Sequence, residues 1–273
     1  MALLEVADLV VEFRTSAGHL RAVDGISFTV EEGEILAVVG ESGSGKSVSM
    51  LAVLGLLPTT ATVRVSRVTF DGRDLTALSP RQRRRLLGRK IAMIFQEPVA
   101  SLNPCYSVGF QIDEVLKRST GLSRTGRRDR AVELMHGVGI PQPAERLGSY
   151  PHQMSGGQCQ RVMIAMALAC DPLLLVADEP TTALDVTVQK QILDLLVAQQ
   201  VNRGMGLILI THDMGVVAET ADRVLVQYAG RIMECSDVID IFENPQSGYT
   251  RALLSALPES ATGDRLPVVS DWR

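Results

Sequence analysis

The stretch Gly40-Glu41-Ser42-Gly43-Ser44-Gly45-Lys46-Ser47 matches the pattern G-x-x-x-x-G-K-[ST], and it constrains the fold more than any other part of the chain. Before it, Glu34-Ile35-Leu36-Ala37-Val38-Val39 is short, apolar and β-branched, as a buried parallel strand should be. After it, Ser49 to Leu57 is apolar with only Gly55 as a breaker and stops at Pro58, which predicts a helix. In a strand–glycine loop–helix context, glycines let backbone N–H groups curl around phosphates, and the helix N-terminus adds its positive dipole end. Lys46 is then expected to reach the β- and γ-phosphates of a nucleotide, and the Ser47 hydroxyl to ligate Mg²⁺.

The 273 residues suffice for one large domain or for a domain with a subdomain. With 46% hydrophobic and 21% charged residues the composition is globular, and a net charge of −4 provides no global basic field for nucleic acid. Apolar runs such as Leu173 to Ala177 fall far short of the roughly 20 residues of a spanning helix. The N-terminus has no signal-peptide pattern. Cys105, Cys159, Cys170 and Cys235 are scattered, which fits reduced thiols in a cytoplasm.

Residues 1 to 35 alternate apolar and polar, with turns at Ala17-Gly18 and Glu31-Glu32-Gly33, and predict an antiparallel sheet leading into the core strand. Arg64 to Phe70, turning at Asp71-Gly72, reads as one more strand, and Ile91 to Phe95 as a second buried one. Between about 97 and 155, proline and glycine breaks alternate with helical stretches at Val108 to Arg118 and Arg127 to Gly137, as in an inserted helical subdomain. From Gly156 the order is helix to Ala169, strand Leu173 to Ala177, helix Val186 to Val201, strand Leu207 to Ile210, helix Val216 to Thr220, strand Arg223 to Gln227. Such alternation implies a mostly parallel sheet with crossover helices. The basic run Arg81-Gln82-Arg83-Arg84-Arg85 has no interleaved aromatics and reads as a solvated helix face.

Leu173 to Ala177 ends in Asp178-Glu179. An acid at a strand end beside a phosphate loop can hold Mg²⁺, so Asp178 takes that role and Glu179 that of polarising an attacking water. Ser155-Gly156-Gly157-Gln158 precedes an apolar helix and reads as a hydroxyl with free N–H groups, a second anion site or a simple N-cap.

Met154-Ser155-Gly156-Gly157-Gln158 resembles the signature sequence of ATP-binding-cassette (ABC) ATPases, with Met for the commoner Leu. Gln96 resembles the family's Q-loop glutamine, which touches Mg²⁺ or water; Ala183-Leu184-Asp185 resembles the D-loop; His212 resembles the switch histidine on the γ-phosphate. Phe13 stands where the family's adenine-stacking aromatic falls, in a longer loop and in place of the commoner Tyr. The resemblance implies an α/β P-loop (RecA-like) core with an N-terminal antiparallel β-subdomain and an inserted helical subdomain, spanning 1–257, before a loosely ordered tail over 258–273. It also implies ATP and Mg²⁺ as cofactors. In this family two nucleotides are sandwiched head to tail between two ATPase subunits, each site completed by the signature of the other.

Within the family the chain is most similar to ATPase subunits of bacterial oligopeptide, dipeptide and nickel importers. The similarity is carried by Gln96-Glu97-Pro98-Val99-Ala100-Ser101-Leu102-Asn103-Pro104, Tyr150-Pro151-His152-Gln153, Thr211-His212-Asp213-Met214-Gly215-Val216-Val217 and Tyr249-Thr250-Arg251-Ala252-Leu253-Leu254. The implied partners are a second, related ATPase subunit, two membrane permeases and an extracytoplasmic substrate-binding protein, with no nucleic acid. The implied place is the cytoplasmic face of the inner membrane. Peptide is the expected cargo. Gln246-Ser247-Gly248 departs from a frequent His-Pro, and the sequence stops at Arg273 without the cysteine-rich tail of many peptide importers, so an iron–sulfur site is not expected and nickel or a metal chelate is the alternative. A soluble ABC ATPase acting on DNA or ribosomes would usually show a second cassette or a coiled coil. A non-catalytic regulator would be expected to lack Lys46 or Glu179.

Overall fold

A computed structural model describes residues 2–15, 18–181 and 184–256, and Ala17, Ala183 and the expected tail over 258–273 lie outside them. The described residues form two compact units, one built from the chain up to Leu78 and again from Gly206, the other from Ser79–Met205.

The first unit opens with strands β1 (Ala2–Thr15) and β2 (Gly18–Glu31), an antiparallel pair. Leu4, Val6, Leu9 and Val11 are buried, a period of two that skips a residue at Asp8. There the register slips, and Asp8 takes a φ of 52°. This bulge keeps the apolar side chains on the core face and turns the carboxylate outward. Strand β3 (Ile35–Val39) is buried at every residue and leads through the glycine loop into helix α1 (Lys46–Leu54). The helix begins and ends three residues before the expected bounds. The loop feeds the first turn directly, and Gly55, at φ 70°, closes the last by donating its N–H to Ala52 and Leu51. The single strand expected over 64–70 is two, β4 (Ala61–Arg64) and β5 (Arg67–Phe70). Both pair with β1, and their interruption falls opposite the Asp8 bulge. Strand β6 (Arg73–Asp74) completes a hairpin at Asp71-Gly72, as expected.

The second unit starts with α2 (Pro80–Leu86), which carries the arginine run behind a capping box of Ser79 and Gln82. Strand β7 (Ile91–Ile94) follows, then the short α3 (Pro98–Ser101), α4 (Val108–Ser119), α5 (Arg124–Gly137), the short α6 (Pro143–Arg146) and α7 (Gly156–Leu168). Strand β8 (Leu174–Asp178) lies parallel to β7, and α8 (Val186–Arg203) closes the unit. Val108, Ile112 and Leu116 form a buried stripe at four-residue spacing on α4, and Ala131, Leu134 and Met135 one on α5. Arg127 joins these helices through its Nε, 2.6 Å from Asp113 Oδ1. Helix α5 starts before the expected Arg127 because Ser123 caps it, accepting from Gly126 N–H.

On returning to the first unit the chain forms β9 (Gly206–Ile210), α9 (Met214–Thr220), β10 (Arg223–Tyr228), β11 (Arg231–Asp237), α10 (Val238–Glu243) and α11 (Gly248–Ser255). Strand β3 is flanked by β9 and β10, both parallel to it. Helix α9 starts at Met214 rather than Val216 because the Asp213 carboxylate accepts from Gly215 and Val216 N–H. Strand β11 is an antiparallel edge that the sequence reading omits. Its two-residue turn, Ala229-Gly230, has φ 46° and 80°, both positive as a type I′ hairpin turn requires.

Candidate functional site

Strand β3 ends at Val39 and β9 at Ile210, with Val38 opposite Ile210. The glycine loop and Thr211-His212-Asp213 therefore leave the sheet at one edge, the carboxyl ends of adjacent parallel strands, where ligands of open α/β sheets bind. In the loop Lys46 is buried, and its ammonium donates to the carbonyls of Gly40 at 2.8 Å and Glu41 at 2.9 Å. The loop thus coils around its own cation. Ser44 Oγ is buried with no hydrogen-bond partner among the described residues. An orphaned hydroxyl and a buried ammonium that donates to two loop carbonyls fit a phosphate group, which offers each a stronger, charged acceptor.

Two glycines are demanded by close packing. A Cβ on Gly40 would stand 1.9 Å from the Gln227 carbonyl oxygen, and one on Gly45 2.5 Å from that of Ala22. Both also have positive φ, 143° and 99°. Gln227 is fully buried, and its Nε2 donates to Ser44 O at 3.1 Å and Ser49 Oγ at 3.2 Å. Gly230 N–H donates to Ser44 O at 2.9 Å. On the opposite side Glu41 N–H donates to the Tyr249 hydroxyl at 3.2 Å. The sequence reading assigns Gln227 and Tyr249 no role; the apolar run of β10 broken by a glutamine was the available signal for the first.

Phe13 lies on β1, half-buried, opposite Leu20 of β2 and Ala61 of β4. His212 is exposed, between Thr211 and the capping Asp213.

The second unit holds the remaining expected residues. Asp178 is buried at the end of β8. Glu179 follows at φ 45°, a left-handed conformation that turns the chain sharply before Pro180. Gln96, just past β7, donates its Nε2 to Glu179 Oε2 at 2.9 Å. The parallel pairing of β7 and β8 brings these two side chains together across 83 positions of sequence.

Ser155 and Gln158 form a capping box at the start of α7: Ser155 Oγ accepts from Gln158 N–H at 3.2 Å, and Gln158 Oε1 from Ser155 N–H at 3.1 Å. The N-cap and the anion-site expectations are thus compatible, because the box orders the turn whose glycine N–H groups begin the helix. A Cβ on Gly157 would stand 3.0 Å from Val188 Cγ1 of α8. Asp185 caps α8, accepting from Val188 N–H at 3.0 Å. Among the described residues no helix is long and apolar enough to cross a membrane.

Strand, glycine loop and helix in this arrangement define an α/β protein with a phosphate-binding loop. Residues 23–182 match the family described as ABC transporter. The chain is 54% identical over 261 residues to the dipeptide transport ATP-binding protein DppD of Escherichia coli K12, covering 96% of the chain and 80% of DppD. It is 48% identical over 270 residues to the oligopeptide transport ATP-binding protein OppD of Bacillus subtilis 168, covering 98% and 75%. The dimeric post-hydrolysis structure of the ATP-binding cassette MJ0796 bound to ADP and Pi superposes with a TM-score of 0.76 at 26% identity, covering 86% of this chain and 98% of that one. The structure of cbiO1 from Clostridium perfringens, part of the ABC transporter complex cbiONQ, gives 0.74 at 28% identity, covering 89% and 91%. This chain belongs to the ABC transporter family.

Proposed function

We propose that this chain is the ATP-binding and ATP-hydrolysing subunit of a bacterial importer of dipeptides or oligopeptides. The observation that carries the reading is the 54% identity, along almost the whole chain, to a dipeptide transport ATP-binding protein. The relatives' names favour peptide over the nickel or metal-chelate alternative, and transport over a soluble ABC ATPase.

The residue roles follow from chemistry. Lys46 leaves the Gly40 and Glu41 carbonyls for the β- and γ-phosphates, and the N–H groups of Ser42, Gly43, Ser44 and Gly45 with the start of α1 receive the rest, while Glu41 contributes through the loop backbone. Phe13 stacks on adenine. The Ser47 hydroxyl, the Asp178 carboxylate and the Gln96 amide are the hard oxygen donors for Mg²⁺, which when bound neutralises charge building on the phosphates. Glu179, oriented by Gln96, polarises the attacking water, and His212 contacts the γ-phosphate. Ser155, Gly156, Gly157 and Gln158 face the ATP of a partner ATPase subunit, beside the Asp185 loop. The chain then works at the cytoplasmic face of the membrane, docked on two permeases supplied by an extracytoplasmic binding protein.

The test is ATP hydrolysis by the purified chain alone, then with its companion ATPase and the permeases encoded beside it. Turnover that appears only in the assembly is expected; full turnover by the lone chain overturns the composite site. Within the assembly, Ser155→Ala is expected to abolish turnover while the lone chain binds ATP as before. The lost cap should cost about 1 kcal/mol of stability, read from thermal melts. If turnover survives S155A, the signature role is wrong.

A further inference from the structure

The phosphate loop is gripped from behind by the last described helix. Tyr249 is fully buried on α11, and its hydroxyl accepts the backbone N–H of Glu41 at 3.2 Å. Burial pushes the phenol up to about 12, so it stays protonated and neutral at any physiological pH. Its ring is held against Tyr228 of β10, centroids 4.5 Å apart. The corner leading into α11 is clamped to β11, since the Glu234 carboxylate accepts from Gln246 N–H at 2.8 Å and Ser247 N–H at 3.0 Å. Ser247 Oγ then caps α11 by accepting from Tyr249 N–H. Side chain and hydroxyl are thus fixed by a chain of contacts that runs from the edge strand to the loop.

The Gly40–Glu41 peptide group is held at both ends: its N–H by the Tyr249 hydroxyl, its carbonyl by Lys46. A phosphate that attracts the Lys46 ammonium removes the second hold, and the first remains. We propose that Tyr249 is a positioning residue of the phosphate loop, whose hydroxyl holds the Gly40–Glu41 peptide, and with it the start of the loop, in place once Lys46 has turned to the nucleotide. The inference rests on the ATP-binding reading, and it makes α11 part of the nucleotide site.

The experiment compares binding of the fluorescent analogue mant-ATP, and ATPase kinetics in the assembled transporter, for wild type, Tyr249→Phe and Arg251→Ala. Tyr249→Phe keeps the ring and removes only the hydroxyl. Loss of one hydrogen bond to a loop amide should raise Kd and KM about three- to tenfold with kcat within about twofold. Arg251 anchors the same helix by donating to the carbonyls of Pro245 and Gln246, at the corner before α11. R251A should leave Kd within about twofold of wild type, a change worth under half a kcal/mol. An unchanged Kd in Y249F overturns the proposal and leaves the ATP-binding reading intact. An equal rise in R251A also overturns it, since helix docking rather than the phenol would then set affinity. A wild-type chain that binds no mant-ATP overturns the ATP reading and this inference with it.

Discussion

Replacing Glu179 by Gln is expected to lower ATP turnover of the assembled transporter by a factor of about 100 or more, while ATP binding persists and the closed ATPase dimer accumulates. General-base assistance contributes on the order of 10² to 10⁴ to such a step. The geometry makes the substitution a clean one. Gln96 Nε2 donates to Glu179 Oε2 at 2.9 Å, and a glutamine at 179 retains an amide oxygen that can accept the same bond. Shape and orientation persist, and the negative charge that polarises water is removed. Steady-state hydrolysis measures the loss, and nucleotide retention on a sizing column measures the trapped dimer. Turnover within about twofold of wild type would assign the catalytic role elsewhere.

A methyl group on Gly40 is expected to do as much damage by a different route. The Cβ of Gly40→Ala would sit 1.9 Å from the Gln227 carbonyl oxygen and 3.0 Å from its carbon. Those atoms are backbone of β10, which is paired on both sides, with β3 and with the edge strand β11, and have no rotamer to move to. The φ of 143° adds strain of its own. Together these should cost about 3 kcal/mol or more, lower the melting temperature by on the order of 10 °C and abolish ATP binding. Gly43→Ala is the control: its φ is also positive, at 78°, but nothing lies within 4 Å of its Cβ. That substitution should cost only about 1–2 kcal/mol and leave a folded chain. Calorimetric melts of the two variants separate steric packing from backbone strain, and equal losses would refute the packing argument.

Much of the candidate site was legible because it is local. The loop pattern, the apolar strand before it and the helix after it occupy adjacent residues, so composition and spacing carry them without tertiary information. The same holds for the apolar run ending in Asp178-Glu179 and for Ser155 three residues before Gln158. Element bounds erred where a single side chain or glycine decides them: Ser123 starts α5 early, Asp213 starts α9 early and Gly55 ends α1 early. The edge strand β11 escaped because Ala229-Gly230 lacks the Asn-Gly or Asp-Gly that usually announces a type I′ turn. Its residues are mostly half-buried or exposed, so they show no clear alternation.

What the sequence determined by itself is the phosphate loop, the alternation of strands with helices and the membership that the motifs announce. These depend on period, propensity and spacing over a few residues, and such physics is written along the chain. Only the tertiary structure decided which distant residues meet. Gln227 reaches Ser44 across 183 positions, Tyr249 reaches Glu41 across 208, and Gln96 reaches Glu179 across 83. Each contact is a hydrogen bond whose partner is chosen by strand order and by how a distant helix packs, and neither is encoded in the residues beside it.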